Sequence, residues 1–324
     1  MGMTSLGLFE RIRRRCAEVT LRAEHVRIDD RALQSFAAQL ANETGPEENS
    51  DPADSFEGDE SERLAFVITL DAINFGSGWF PVLRKEPGLS GYQTIAKACR
   101  DRVEAQGSWS GEALRSTTPE AMAELLGQEL GQTEVAELMG LYARAWRDLG
   151  VWLGSEYGDR FENVVERADR SAARLVDSLL KMPLYRDQAR YGELQVPFYK
   201  RAQITVADLN RAFGEGRFGR FEDLAELTLF ADNLVPHVLR CAGVLVYSRA
   251  LAEQIDAGQR LENGSPKEVE IRAVAVEAVE RIVVALALLG RPTSAHALDG
   301  VLWNSGQQPA IKARPRHRTR TSFY

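Results

Sequence analysis

Apolar residues recur at intervals of three and four positions along most of this chain, which is the spacing of an amphipathic helix. The clearest run of such positions contains Leu125, Val135, Leu138, Leu141, Tyr142, Ala145, Trp146, Leu149 and Trp152. The same spacing predicts further helices over residues 31–42, 60–75, 92–104, 160–181, 206–213, 221–230, 236–257 and 266–289. Alternating patterns typical of strands are scarce, so the predicted fold class is all-α.

The chain has enough apolar residues to bury a large core, since 44% of its 324 residues are hydrophobic and 27% are charged. Residues 43–61 are rich in Glu, Asp, Pro, Ser, Asn and Gly, and this composition predicts an acidic loop. A domain boundary in that loop would leave only a short helical piece before it. We therefore predict a single large helical domain over residues 1–324.

The charge and the reactive residue types narrow the possible ligands. A formal net charge of -7 argues against a protein that grips a polynucleotide mainly through its phosphates, but a small anionic ligand needs only a few cations. Cys16, Cys99 and Cys241 lie far apart, and the four histidines are scattered, so we predict no metal and no other cofactor. Reduced cysteines and the absence of a secretory or membrane-spanning pattern indicate a cytoplasmic protein.

A pair of cations follows a proline in the segment 197–203. Pro197 biases the residues before Lys200 and Arg201 towards an extended or turn geometry. A lysine at such a break can bind a phosphate as a point charge, and a helix beginning near residue 206 would add its positive end. The alternative is a solvated Lys–Arg pair.

A carboxylate precedes a second proline in the segment 230–237. Pro236 interrupts the helical pattern, and Asn233 is expected to cap the helix that follows, which would leave Asp232 on irregular backbone. Functional carboxylates are often found at such breaks. The alternative is that Asp232 is itself part of the capping arrangement. His237 faces the same junction and is a candidate for contact with a phosphate or a ribose.

Polar and aromatic residues also meet near the predicted end of the helix over 60–75. Helical spacing would place Asp71, Asn74 and Phe75 on one face, close to Trp79. A carboxylate among apolar residues needs a donor, which a guanine-like base offers, while Phe75 or Trp79 offers a stacking face. The alternative is a satisfied hydrogen-bond network in the core.

Four arginines alternate near the end of the chain, so an extended tail would place them on one side. These residues are Arg314, Arg316, Arg318 and Arg320. One interpretation of such a run is a basic arm for RNA. The final Phe323 and Tyr324 favour the other interpretation, which is a tail over 312–324 docked on the body of the protein.

The segments 70–76, 197–203, 230–237 and 317–324 together resemble the queuosine salvage family of queuosine 5′-phosphate N-glycosylases. The resemblance covers most of the chain. It implies hydrolysis of the N-glycosidic bond of queuosine 5′-monophosphate, with release of queuine for salvage and without a cofactor. It also implies a fold similar to that of the helix-hairpin-helix DNA glycosylases.

The resemblance assigns roles to particular residues. Asp232 is expected to be the catalytic carboxylate. The residues expected to bind the substrate are Lys200, Tyr199, His237, Asp71, Asn74, Phe75 and Trp79. The segment 289–303 loosely resembles the hairpin and acidic segment of DNA glycosylases, but a structural role is favoured for Asp299.

Two other classes of protein are kept as alternatives. One is a non-catalytic helical protein that binds RNA or a nucleotide, and the other is a DNA base-excision glycosylase. In the favoured interpretation the partner is a small-molecule substrate, with no stable nucleic-acid partner and no membrane. The oligomeric state is left open.

Overall fold

A computed structural model describes residues 6–42 and 56–324 of the chain. Helices dominate this part of the chain, so the all-α prediction is confirmed in its coarser form, a mostly helical protein, and the four short strands were not predicted. The fifteen α-helices in the described residues are α1 (Leu8–Thr20), α2 (Asp30–Asn42), α3 (Glu60–Asp71), α4 (Gly91–Gln106), α5 (Gly111–Arg115), α6 (Pro119–Leu125), α7 (Thr133–Tyr157), α8 (Phe161–Ala168), α9 (Ala172–Leu179), α10 (Lys200–Phe213), α11 (Val235–Cys241), α12 (Arg249–Asp256), α13 (Pro266–Leu288), α14 (Ala295–Gly306) and α15 (Pro309–Lys312).

Short strands form two antiparallel pairs. The strands are β1 (Val26–Ile28), β2 (Gln188–Tyr191), β3 (Leu194–Pro197) and β4 (Leu245–Tyr247). Strands β2 and β3 form a hairpin in which Gln188 pairs with Pro197. Strand β1 pairs with β4, so that Ile28 lies opposite Leu245. The hairpin matters for the site because β3 ends directly before α10.

The helix starts follow from side chains that satisfy free backbone N–H groups. Ser265 accepts a hydrogen bond from the N–H of Glu268, and Pro266 occupies the first turn of α13. Asp59 and Glu62 form a capping box at the start of α3, in which each side chain binds the other's backbone N–H. These signals are local in sequence, so the starts of both helices lie within one residue of their predicted positions.

The chain is divided between two compact units. The first unit comprises residues 6–42, Asp187–Lys200 and Ala225–Arg320, and the second comprises residues 56–186, Arg201–Leu224 and Thr321–Tyr324. In the first unit, α1 and α2 pack on α13. All nine residues from 268 to 276 of α13 are buried, so this helix forms the core of the unit. In the second unit, α7 packs on α5 and α6.

Two predicted helices are interrupted. The predicted helix over 160–181 is wrong, because α8 ends at Ala168 and α9 begins at Ala172. Asp169 and Arg170 between them have φ angles of 49° and 58°, in the left-handed region that ends a helix. The predicted helix over 236–257 is also wrong, because it contains α11, β4 and α12. Gly243 follows α11 with a φ of 78°, which only glycine adopts readily.

Other boundaries shift by several residues. The predicted helix over 221–230 is wrong, because that segment contains a 3₁₀ turn over Leu224–Glu226 and otherwise irregular backbone. The helix predicted over 60–75 ends at Asp71. The helix predicted from residue 206 begins at Lys200. The last two differences change the geometry expected around the candidate site residues.

Most of the predicted acidic loop over 43–61 lies outside the described residues, and α3 begins near its end. The single domain over 1–324 stays a prediction. None of the helices in the described ranges 6–42 and 56–324 is long and apolar enough to cross a membrane.

Candidate functional site

The turn between β3 and α10 is held by one residue of the first unit. The main-chain oxygen of Asp187 accepts hydrogen bonds from the N–H groups of Phe198 and Tyr199 at 3.0 and 3.2 Å. Its side-chain Oδ2 accepts from the N–H of Lys200 at 3.2 Å. Three consecutive N–H groups therefore bind Asp187. They fix Tyr199 in a left-handed conformation with a φ of 50°, which is unfavourable for a residue with a side chain.

This turn buries the predicted phosphate-binding residues. Lys200 and Tyr199 are each 6% exposed and Arg201 is 2% exposed, so the cation pair is not solvated. The expectation of a helix start near residue 206 was wrong. Asp187, a partner distant in sequence, caps the helix earlier, at Lys200. The positive end of α10 therefore lies at Lys200 itself.

A buried arginine connects this turn to the segment that contains Asp232. Arg272 in α13 donates to both carboxylate oxygens of Asp187, at 2.9 and 2.6 Å. Its Nε donates to the main-chain oxygen of Ala231 at 2.9 Å. The guanidinium also lies 4.0 Å from the centroid of the Phe198 ring. One side chain thus binds both segments.

Asp232 lies where irregular backbone enters α11. Its Oδ1 accepts hydrogen bonds from the N–H groups of Leu234 and Val235 at 2.7 and 3.0 Å. Asp232 therefore takes the capping role, and the expectation that Asn233 caps this helix was wrong. We find no hydrogen bond to Oδ2 from the described residues. The carboxylate is half-buried, so one oxygen fixes its direction and the other remains available.

Two neighbours of Asp232 are buried with unused hydrogen-bonding atoms. Asn233 is 3% exposed and His237 is 2% exposed. Neither Nδ2 of Asn233 nor Nδ1 of His237 has a hydrogen-bond partner in the described part of the chain. Such atoms are costly inside a protein unless a water or a ligand satisfies them. The two atoms therefore call for a water or a polar ligand near this segment.

The protonation of His237 follows from its other nitrogen. Nε2 lies 3.1 Å from the main-chain oxygen of Ile311, and a carbonyl oxygen only accepts, so Nε2 carries the proton. Burial lowers the pKa of His237, so the imidazole is neutral near pH 7. Its free Nδ1 is then an acceptor. An acceptor suits a hydroxyl group better than a phosphate.

Residues 312–320 of the basic tail belong to the first unit and pack within it. Arg240 donates to the main-chain oxygen of Pro315 at 3.3 Å, and the N–H of Leu261 donates to the main-chain oxygen of Arg318 at 2.9 Å. His317 is buried, and Arg316 beside it is half-buried. Burial lowers the pKa of Arg316, and the Asp232 carboxylate opposes this shift, so Arg316 lies within electrostatic range of Asp232.

Asp71 in the second unit is the last residue of α3 and is 1% exposed. Burial raises its pKa well above the usual value, and the neighbouring Asp208 raises it further. The protonated form of Asp71 is therefore favoured over a wider pH range than in an exposed aspartate, and Asp208 and Thr205 are its polar neighbours. Within the described ranges, neither its Oδ2 nor the hydroxyl of Tyr185 has a hydrogen-bond partner.

The aromatic residues predicted near Asp71 are also buried in the second unit. The Phe75 and Tyr142 rings form a T-shaped pair with centroids 4.9 Å apart, and the guanidinium of Arg201 lies 4.7 Å from the centroid of the Phe75 ring. Trp79 donates through Nε1 to Glu137 at 2.9 Å. Since α3 ends at Asp71, Asn74 and Phe75 lie in the turn that follows, and the expectation of a shared helix face was wrong.

A cavity of about 310 Å³ lies elsewhere in the second unit, among charged side chains. It is lined by Val165, Glu166, Asp169, Arg170, Glu215, Gly216, Arg217 and Arg220. None of the predicted site residues lines it. Its arginines include Arg217, which forms an ion pair with Glu166.

The predicted site residues thus fall into one group in each unit. Tyr199, Lys200, Asp232 and His237 belong to the first, and Asp71, Asn74, Phe75 and Trp79 to the second. The sequence interpretation missed Asp187 and Arg272, and it assigned Asn233 only a capping role. A signal for Arg272 was present, because it is a charged residue inside the apolar run of α13. Asp187 gave no signal, since its partners are distant in sequence.

These contacts describe a mostly helical protein whose first unit holds a polar site around one oriented carboxylate. The family model described as queuosine salvage protein matches residues 55–324. A queuosine 5′-phosphate N-glycosylase/hydrolase from Sphaerobacter thermophilus is 37% identical over 276 residues, covering 82% of this chain and 83% of the relative.

Two more distant relatives carry the same name. The Dictyostelium discoideum protein is 32% identical over 261 residues, covering 80% of this chain and 77% of its own length. The Nematostella vectensis protein is 28% identical over 289 residues, covering 80% and 81%. The chain belongs to the queuosine salvage protein family, which confirms the resemblance drawn from its motifs.

Proposed function

We propose that this protein is an N-glycosylase that hydrolyses the N-glycosidic bond of queuosine 5′-phosphate and releases queuine and ribose 5-phosphate. The observation that supports this most strongly is its membership of a family in which relatives at 37% and 32% identity bear that name. The oriented carboxylate of Asp232 supplies a chemical reason.

Asp232 is the proposed catalytic residue. Breaking the bond between the anomeric carbon and the base leaves the electron pair on the base nitrogen and develops positive charge on the ribose. Water adds its oxygen to the anomeric carbon, and one of its protons ends on the released base. A negative oxygen held in place stabilises the positive sugar and can orient or deprotonate the water. The Oδ2 of Asp232 is suited to this role, because Oδ1 is already bound to two backbone N–H groups.

The leaving group makes this stabilisation important. Queuine is a 7-deazaguanine, so the ring nitrogen that purine nucleosidases commonly protonate is replaced by carbon. Protonation at that position is not available. Charge stabilisation at the sugar therefore has to supply more of the rate enhancement.

Lys200, Tyr199 and His237 are the proposed residues for the sugar phosphate. Lys200 combines a cation with the positive end of α10 in a buried turn, which suits the phosphate. A ribose hydroxyl can donate a hydrogen bond to Nδ1 of His237 and accept one from Nδ2 of Asn233. Binding energy from these groups would place the anomeric carbon for reaction.

Asp71, Asn74, Phe75 and Trp79 are the residues that we propose for the base. Asp71 would offer one donor and one acceptor when protonated. Asp71→Ala is expected to weaken binding of free queuine in a calorimetric titration. Equal affinity of variant and wild type would indicate that these residues form a core network instead.

We also propose the finer fold assignment, a likeness to the helix-hairpin-helix DNA glycosylases. It is supported by α13 and α14, which are joined by a short turn with Gly290 at a φ of 77° and are capped anew by Ser294. In this proposal Asp299 has a structural role and no catalytic one, because its Oδ1 accepts a hydrogen bond from the N–H of Phe230 at 3.1 Å. An experimental structure whose α13–α14 pair fails to superpose on such a hairpin would contradict the likeness.

The direct test is incubation with queuosine 5′-phosphate beside guanosine 5′-phosphate, with chromatography of the released base. Queuine is expected from the first substrate, and no guanine from the second. A protein that releases neither base, but retains transfer RNA in a gel shift at moderate salt, would instead be a helical RNA-binding protein.

A further inference from the structure

Arg272 is a charged residue in the most buried part of the first unit. It is 1% exposed, in a helix whose residues 268–276 are all buried. A charge in such a place is stable only if strong partners surround it. Its partners are therefore informative about what the residue does.

The first set of partners leads to Lys200. The guanidinium binds both carboxylate oxygens of Asp187, at 2.9 and 2.6 Å, in the two-point geometry that fixes direction as well as distance. Asp187 in turn holds the N–H groups of Phe198, Tyr199 and Lys200. The strained turn before α10 thus depends on the orientation of Asp187, which Arg272 sets.

The second partner leads to Asp232. The Nε of Arg272 donates to the main-chain oxygen of Ala231 at 2.9 Å, and this oxygen belongs to the peptide that joins Ala231 to Asp232. The N–H of Phe230 is held by Asp299 at 3.1 Å. The backbone on the amino-terminal side of Asp232 is therefore fixed by buried side chains, and the carboxylate itself is fixed by its two capping bonds.

We propose that Arg272 is a positioning residue that sets the placement of Lys200 relative to Asp232, through Asp187 on one side and the Ala231 carbonyl on the other. The inference rests on the proposed function of these two residues. Lysine at position 272 keeps a positive charge, but a single ammonium lacks the planar fork that reaches both partners.

The test compares two substrates. The phosphate preference is defined as kcat/KM for queuosine 5′-phosphate divided by kcat/KM for phosphate-free queuosine. Arg272→Lys is expected to lower kcat about 100-fold, the order of loss for a misplacement of about 1 Å, and to reduce the phosphate preference. If Arg272 were merely structural, its substitution would lower kcat/KM for both substrates by the same factor, which is the fraction of folded protein. The phosphate preference would then be unchanged.

Val276→Ala is the matched control. Val276 lies in the same buried stretch of α13 and is 1% exposed, so the change removes core packing, and its aliphatic side chain forms no hydrogen bond to Asp187 or Ala231. Its phosphate preference should equal that of the wild type at a comparable loss of thermal stability. If Arg272→Lys behaves like Val276→Ala after correction for the folded fraction, the proposal is overturned.

Asp187→Asn covers the case in which Arg272→Lys does not fold. This variant weakens the Lys200 branch and retains the bond from Arg272 to Ala231. The phosphate preference should fall at least about tenfold, with kcat on phosphate-free queuosine within about threefold of wild type. Equal losses on both substrates would refute the role of Arg272. A wild type that releases no queuine would refute the proposed function itself.

Discussion

Replacement of Asp232 by asparagine isolates the charge of the proposed catalytic oxygen. Asparagine retains an Oδ1 that accepts the N–H groups of Leu234 and Val235, now at 2.7 and 3.0 Å, so the cap of α11 is preserved. Asparagine and aspartate are similarly good at this position, and the expected loss of stability is below about 1 kcal/mol. The change therefore tests chemistry with little effect on folding.

The expected loss of rate follows from the lost attraction. A unit negative charge about 4 Å from a positive sugar, at an effective dielectric constant of about 20, contributes about 4 kcal/mol. A loss of that size at the transition state lowers kcat about 1,000-fold. The ground-state sugar carries no charge, so binding of the substrate should change much less.

Single-turnover release of queuine, followed by chromatography, measures this effect without interference from product release. Asp59→Asn is the control, because Asp59 also caps a helix, accepting the N–H of Glu62 at 2.8 Å, and undergoes the same chemical change. It should retain wild-type turnover. A kcat for Asp232→Asn within tenfold of the wild type would refute the assignment.

Three further substitutions test other ionisable groups. Lys200→Ala should lower kcat/KM about 10- to 100-fold on queuosine 5′-phosphate and much less on queuosine, and equal losses would remove Lys200 from the phosphate site. Burial lowers the pKa of His317 to about 3, below its unfolded value of about 6.5, so this group stabilises the fold at pH 7 and the effect is lost as pH falls. The free energy of unfolding in urea is expected to fall by about 2 kcal/mol more for the wild type than for His317→Gln when the pH is lowered from 7 to 5. Equal losses would contradict the buried neutral imidazole. The pKa of Asp71 is raised by burial and by Asp208, so its stabilisation is full below pH 4 and is lost as pH rises towards the folded pKa. Asp71→Asn should therefore gain stability relative to the wild type as pH rises above about 4, and a difference that stays constant with pH would exclude a raised pKa of Asp71.

The helices that could be predicted well are those with local start signals. The predicted helix over 266–289 agrees with α13 within one residue at its end, because Ser265 and Pro266 mark its start and the apolar pattern continues to its last turn. The break between α8 and α9 was missed because Asp169 and Arg170 adopt left-handed angles without a glycine or proline to signal them. Packing in the folded protein, rather than local sequence, determines the backbone conformation of these two residues.

The early start of α10 has the same cause. Pro197 correctly indicated a break, but the residue that caps the helix is Asp187, which the β2–β3 hairpin brings back beside it. Spacing along the sequence carries no information about such a partner. The capping role of Asp232 was harder to separate from that of Asn233, since both are favourable cap residues and stand side by side.

The departures from ordinary folding rules in the first unit gather at the segments that the family motifs occupy. Tyr199 has an unfavourable left-handed φ, Lys200 is a buried cation, and Asn233 and His237 bury atoms that no described residue satisfies. Each such feature costs on the order of 1–3 kcal/mol. The open atoms of Asn233 and His237 lie beside the Asp232 carboxylate in sequence, where a ribose hydroxyl of the proposed substrate would satisfy them on binding. For the same reason, sequence rules that describe stable folding were least accurate here.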